Sequence, residues 1–127
     1  MNNVKDLISK DQFAIHSGIE LTDVSEGCAT AKMIIQPYHL NGVGIVQGGA
    51  IFTLADLALA AASNSHGQSA VGLTTNIAYF KAESSGTLYA KAIEISLRRS
   101  VATYRVDVTN MNDELVASFQ GTVYRKI

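Results

Sequence analysis

The stretch GGAIFTLADLALAAASN, from Gly48 to Asn64, constrains this chain more than any other part of it. Ile51, Phe52, Leu54, Leu57, Ala58, Leu59, Ala61 and Ala62 cover most of a helical wheel. A helix that is apolar nearly all round has to be enclosed by other elements. One narrow stripe departs from this, formed by Thr53, Asp56, Ala60 and Ser63 at three- and four-residue steps. Asp56 carries the only charge in the run. A carboxylate taken out of water without a partner is costly. The stripe is therefore expected on the one side where enclosure is incomplete, at a cleft or a subunit interface.

The rest of the chain supplies the enclosure. VKDLISKDQF places Val4, Leu7, Ile8 and Phe13 at helical spacing and predicts a short amphipathic helix. SGIELTDVSEG and CATAKMIIQ read as two strands joined by a turn at Ser25-Glu26-Gly27, the second ended by Pro37. After the loop YHLNGVG and the long helix, the period changes to two. AVGLTTNIAYFKA puts Val71, Leu73, Thr75, Ile77 and Tyr79 on one face. GTLYAKAIEISL, VATYRVDVTN and ELVASFQGTVYR follow with short links, the pattern of an antiparallel meander. In VATYRVDVTN, Ala102, Tyr104, Val106 and Val108 share a face. The order α-β-β-α-β-β-β-β predicts one α+β domain over residues 1–127, with a curled sheet wrapped round the long helix.

Composition excludes several functions. The net charge is -1 and the cations are scattered apart from Arg98-Arg99, so there is no basic stripe for nucleic acid. Arg98-Arg99 reads as a solvated hairpin tip. Cys28 is the single cysteine, which excludes an intramolecular disulfide and a cysteine-rich metal site. His16, His39 and His66 are too far apart to suggest a metal site and read as structural or surface groups. The N-terminus is charged within six residues and lacks an apolar export core. The longest apolar stretch is too short to cross a bilayer. A reduced, cytoplasmic protein is expected, with no membrane partner, metal or bound cofactor.

The chemistry centres on the long helix. Its start, Gly48-Gly49, presents free backbone N–H groups and a partial positive charge, and glycine lets a ligand approach closely. That is a candidate oxyanion hole. Asp56 lies about two turns further on. A base or nucleophile beside such a helix mouth implies acyl transfer or acyl hydrolysis. The competing reading of Asp56 is a structural acid bonded to backbone groups.

Asn41, Gly44, Gly48-Gly49, Leu54-Ala55-Asp56 and Asn64, at this spacing, closely resemble the hotdog-fold acyl-CoA thioesterases, most of all the phenylacetate-pathway subgroup. The resemblance extends to Gly86 before LYAKA and to the late VASFQGTVY. It implies that Asp56 is the catalytic carboxylate, as base for water or as nucleophile. It implies that Gly48 offers its N–H to the thioester oxygen and that Asn41 holds the attacking water or the thioester. Gln47, Gly49 and a polar group on the following strand, Thr74 or Thr75, would contact substrate, with Gly72 an alternative register. Coenzyme A would be part of the substrate. The family shares active sites between subunits of a homodimer or homotetramer. One departure stands out: the family usually has His-Gly-Gly where this chain has Gln47-Gly48-Gly49. Gln47 can hydrogen-bond but cannot titrate. It argues against a hotdog hydratase, which needs a catalytic histidine, and keeps open a non-catalytic acyl-CoA-binding domain.

Overall fold

The computed structural model describes residues 2–126. The chain runs α1 (Asn2–Ile8), α2 (Gln12–His16), β1 (Ile19–Ser25), β2 (Cys28–Ile34), a 3-10 turn (Pro37–His39), α3 (Gly48–Ser63), β3 (Ala70–Tyr79), β4 (Thr87–Leu97), β5 (Val101–Thr109) and β6 (Leu115–Arg125). The strands form one six-stranded antiparallel sheet in the order β1-β2-β4-β5-β6-β3. This sheet curls round α3, as the sequence predicts.

The meander is only partly present. β4, β5 and β6 follow one another through tight links, but β3 does not lie beside β4. It pairs with β6 at the far end of the sheet, while β4 pairs with β2. The link after Tyr79 passes beside the start of α3, where the Val46 N–H donates to the Glu83 carbonyl at 2.8 Å. Along its other side β3 has no strand partner among the described residues.

The N-terminal helix is two helices rather than one. Asp11 starts the second by accepting a hydrogen bond from the Ala14 N–H at 3.0 Å, an N-cap that breaks the run. Val4 and Ile8 are buried, whereas Phe13 is 69% exposed.

Alanines set how closely α3 approaches the sheet. Ala29 and Ala31 of β2 lie opposite Ala92 and Ala90 of β4, and all four are buried. Ala55, Ala58, Ala61 and Ala62 of α3 are buried in the same core. Larger side chains fill the flanks: Leu54, Leu57 and Leu59 from the helix, Tyr104, Val106, Phe119 and Val123 from the sheet. Each fully buried leucine contributes about 1.5–3 kcal/mol of hydrophobic stabilisation. Asn64 fastens the helix end: its side chain donates to the carbonyls of Ala60 and Ala70 and accepts from the Ala70 N–H.

A bulge corrects the expected face of β3. Gly72 pairs with Val123 and Thr74 with Thr122, so Leu73 is the extra residue. Thr75, Ile77 and Tyr79 lie opposite Gly121, Phe119 and Ala117, on the helix side. Val71, opposite exposed Tyr124, lies on the outer face. The bulge moves the alternation by one position, which single-strand periodicity cannot register. No helix among the described residues is long and apolar enough to cross a membrane.

Candidate active site

The stripe on α3 is where the enclosure fails. Asp56 is exposed and Thr53 and Ala60 are half-exposed, while almost every other position beyond the first turn is buried. Ser63, expected on the same open stripe, is only 2% exposed and donates its hydroxyl to the Ala60 carbonyl at 3.3 Å. Thr53 turns its hydroxyl back to the Gly49 carbonyl at 2.7 Å, a common way for threonine to satisfy itself on a helix.

The Asp56 carboxylate, in contrast, has no hydrogen-bond or ion-pair partner among the described residues, whose polar contacts lie elsewhere. A structural acid would show backbone donors. Desolvation raises its pKa above the ordinary value of 3.8, and the nearby Asp11 charge raises it further. An acid held in this way gains nothing for the fold and keeps its oxygens free.

At the other end of the stripe α3 begins on Gln47, which is its N-cap without a side-chain capping bond. The Gln47 N–H donates to the His39 carbonyl at 2.8 Å, and the Ala50 and Ile51 N–H groups reach back to the Gln47 carbonyl. The N–H groups of Gly48 and Gly49 have no partner among the described residues. These are the two free donors of the helix mouth. A Cβ on Gly48 would fall 3.1 Å from the Tyr79 ring and hydroxyl, so any side chain there would press on the tyrosine.

The remaining sequence candidates divide between two recesses. Asn41 and Gly48 line one of about 370 Å³, together with Ile51, Tyr79 and Phe80. Gln47 and Gly49 line a larger one of about 930 Å³, walled by Phe13, His16, Tyr38 and Phe52. Asn41 uses its side-chain oxygen to accept from the Val43 and Ile45 N–H groups. Its amide NH₂ remains for a ligand, as a donor only. Thr75 lies on the helix side of β3, whereas Thr74 lies opposite Thr122 on the outer face. No hydrogen bond joins either threonine to Asp56.

Sequence reasoning missed two neighbours. Tyr79 donates its hydroxyl to the Gly48 carbonyl at 2.9 Å across thirty-one positions of chain. Asp11 lies near enough to Asp56 to act on its charge. Both contacts join distant segments, and only the inward alternation of Tyr79 hinted at either.

One distance governs what the site can do. Asp56 follows Gly48 by eight positions on one helix, about 12 Å along its axis. That is beyond the reach of a base acting on a carbonyl held at Gly48.

A six-stranded antiparallel sheet curled round one central helix is the hotdog arrangement, and the comparisons with known proteins place this chain among its thioester hydrolases. Residues 43–117 match the Thioesterase superfamily. The chain is 40% identical over 127 residues to a putative esterase of Archaeoglobus fulgidus, covering 98% of this chain and 82% of that one. It is 32% identical to the acyl-coenzyme A thioesterase PaaI of Escherichia coli, covering 97% of this chain and 89% of the relative. The solved structure of the E. coli PaaI protein superposes with a TM-score of 0.95 at 30% identity, over 99% of this chain and 92% of that one. A mutant phenylacetic acid degradation protein PaaI from Thermus thermophilus gives 0.87 at 37% identity, over 91% and 100%. The chain belongs to the thioesterase superfamily, as a hotdog-fold thioesterase of the PaaI type.

Proposed function

We propose that this thioesterase hydrolyses acyl-CoA to a free acid and coenzyme A, in the cytoplasm, at sites shared between subunits of a homodimer or homotetramer. The observation that carries the reading is Asp56: a carboxylate without a partner among the described residues, on the one open stripe of an enclosed helix. The E. coli relative is named for acyl-coenzyme A, which supports this substrate class.

The 12 Å rise between Gly48 and Asp56 supports the shared site. A carbonyl held at one chain's helix mouth needs a carboxylate from a second chain. Antiparallel pairing of two free β3 edges would bring the two α3 helices side by side in opposite directions. Gly48 of one copy would then face Asp56 of the other.

Two routes fit. As a base, Asp56 takes a proton from water; the oxygen of that water attacks the thioester carbon. As a nucleophile, its oxygen attacks the carbon directly and forms an anhydride that water then opens. In both, charge on the thioester oxygen is met by the Gly48 N–H, and the C–S bond breaks to release coenzyme A as thiolate. Asn41 donates to the water or to the thioester. Gln47, Gly49 and Thr75 contact the substrate; Thr74, on the outer face of the sheet, does not.

The test is free-thiol release from short, medium, long and aromatic acyl-CoAs, with wild type and Asp56→Ala side by side. Release that collapses in the variant supports the reading; equal release from both sinks it. Gln47 in the place of the usual histidine favours one second reading, a domain that binds acyl-CoA without cleaving it. Tight binding with the thioester intact after long incubation would establish that instead.

A further inference from the structure

We infer that Tyr79 is a positioning residue of the oxyanion site, holding the Gly48–Gly49 peptide through its hydroxyl and so strengthening the Gly49 N–H as a second donor to the thioester oxygen. This deepens the hydrolase reading and rests on it.

The geometry is specific. Tyr79 is the last residue of β3, and its hydroxyl donates to the Gly48 carbonyl at 2.9 Å. That carbonyl lies in the first turn of α3, where the helix itself supplies one donor. A second, from Tyr79, makes the group doubly bonded. Gly48 C=O and Gly49 N–H are the two ends of one planar peptide unit. Pulling electron density toward the oxygen leaves the N–H at the other end more positive, the ordinary cooperativity of hydrogen-bonded amides. The Gly49 N–H has no partner among the described residues, so the gain is available to a ligand.

The contact also fixes direction. Glycine is the least restrained residue in φ and ψ, and here two stand in sequence at the point where donors must be aimed. The Tyr79 ring packs where a Gly48 Cβ would be, 3.1 Å away. Ring and hydroxyl together hold the peptide plane that two glycines would leave loose. Partial desolvation raises the pKa of this half-exposed tyrosine above the ordinary 10.0, so the hydroxyl stays a donor through the working range. Preorganised donors of this kind act in the transition state more than on bound substrate.

The experiment compares wild type, Tyr79→Phe and Asp56→Ala on the best acyl-CoA of the panel. The phenylalanine variant keeps the ring and removes only the hydroxyl. Its kcat should fall about five- to tenfold, the worth of one net hydrogen bond, with KM within twofold. Its melting temperature should change little. A second readout needs no turnover: the ¹H–¹⁵N resonance of Gly49 should move upfield in Tyr79→Phe. Unchanged kcat, or a rise in KM alone, overturns the inference while leaving the hydrolase reading intact if Asp56→Ala is inactive. An unmoved Gly49 resonance overturns it even if no acyl-CoA is cleaved, and absence of cleavage by wild type overturns the hydrolase reading instead.

Discussion

Leu59 occupies the space that a methyl group on Gly121 would need: a Cβ there would fall 2.7 Å from Leu59 Cδ2 and 3.2 Å from the Phe119 ring. The helix and the sheet touch at this point through a missing side chain. Leu59 is 2% exposed and Phe119 fully buried, so neither has room to retreat. Gly121→Ala should therefore cost about 1–3 kcal/mol by overpacking, read as a lower midpoint in urea unfolding. Combined with Leu59→Ala, which opens a cavity of its own, it should cost less than the sum of the two separate losses.

Asp56 offers a stability test of its own role. Its pKa is raised in the fold, so the neutral form is the one the fold favours. The associated stability is present below the unfolded value of 3.8 and is lost as pH rises through the folded value. At neutral pH the ionised group is a liability. Asp56→Asn should melt at the same temperature as wild type or higher at pH 7, and the difference should vanish in acid. A variant that melts well below wild type would mean that the carboxylate is structural.

The same shift sets the rate profile. If the ionised carboxylate acts, kcat/KM should rise with pH along a limb whose midpoint lies above 3.8. Asp11 is the second cause of the shift, and asparagine caps helices as well as aspartate does. Asp11→Asn should keep α2 and move the limb toward lower pH. A limb that stays in place would show that Asp11 does not act on Asp56.

His39 is 3% exposed and ties the loop before α3 to the link between α2 and β1. Its Nδ1 accepts from the Gln36 N–H at 2.9 Å, which leaves Nε2 to donate to the Ser17 carbonyl at 2.6 Å. Removing both bonds strands two backbone groups. His39→Ala should lose about 2–4 kcal/mol, measured by denaturant unfolding. His39→Asn, which can still accept from Gln36, should lose less.

The sequence made α3 legible because its pattern is extreme. A helix apolar nearly all round, with one semi-polar stripe, allows few environments, and Asp56 lies on the open side as its spacing implies. The strands were legible by their period of two. Their order was not: short links suggested β3 beside β4, but the link over residues 80–86 is long enough to cross to the far edge. The bulge at Leu73 was hidden because register is a property of a pair of strands. Gly48-Gly49 and Asp56 came from the pattern of the helix, and Asn41, Gln47, Thr74 and Thr75 from the resemblance to the hotdog thioesterases; both order the residues along the chain but do not say which share a recess. Asn41 with Gly48, and Gln47 with Gly49, are groupings that only the packing of β3 and the 3-10 turn creates.

The free edge of β3 has a consequence for the life of the protein in a cell. Ten residues long, with Val71 and Leu73 exposed, it is an open template on which any extended chain can add. A newly made copy that has not met its counterpart is thus both idle, under the shared-site reading, and sticky. Assembly would remove both states at once. Under the shared-site reading dilution should switch off turnover, so the amount of useful enzyme would depend on how quickly copies find each other as well as on how many are made.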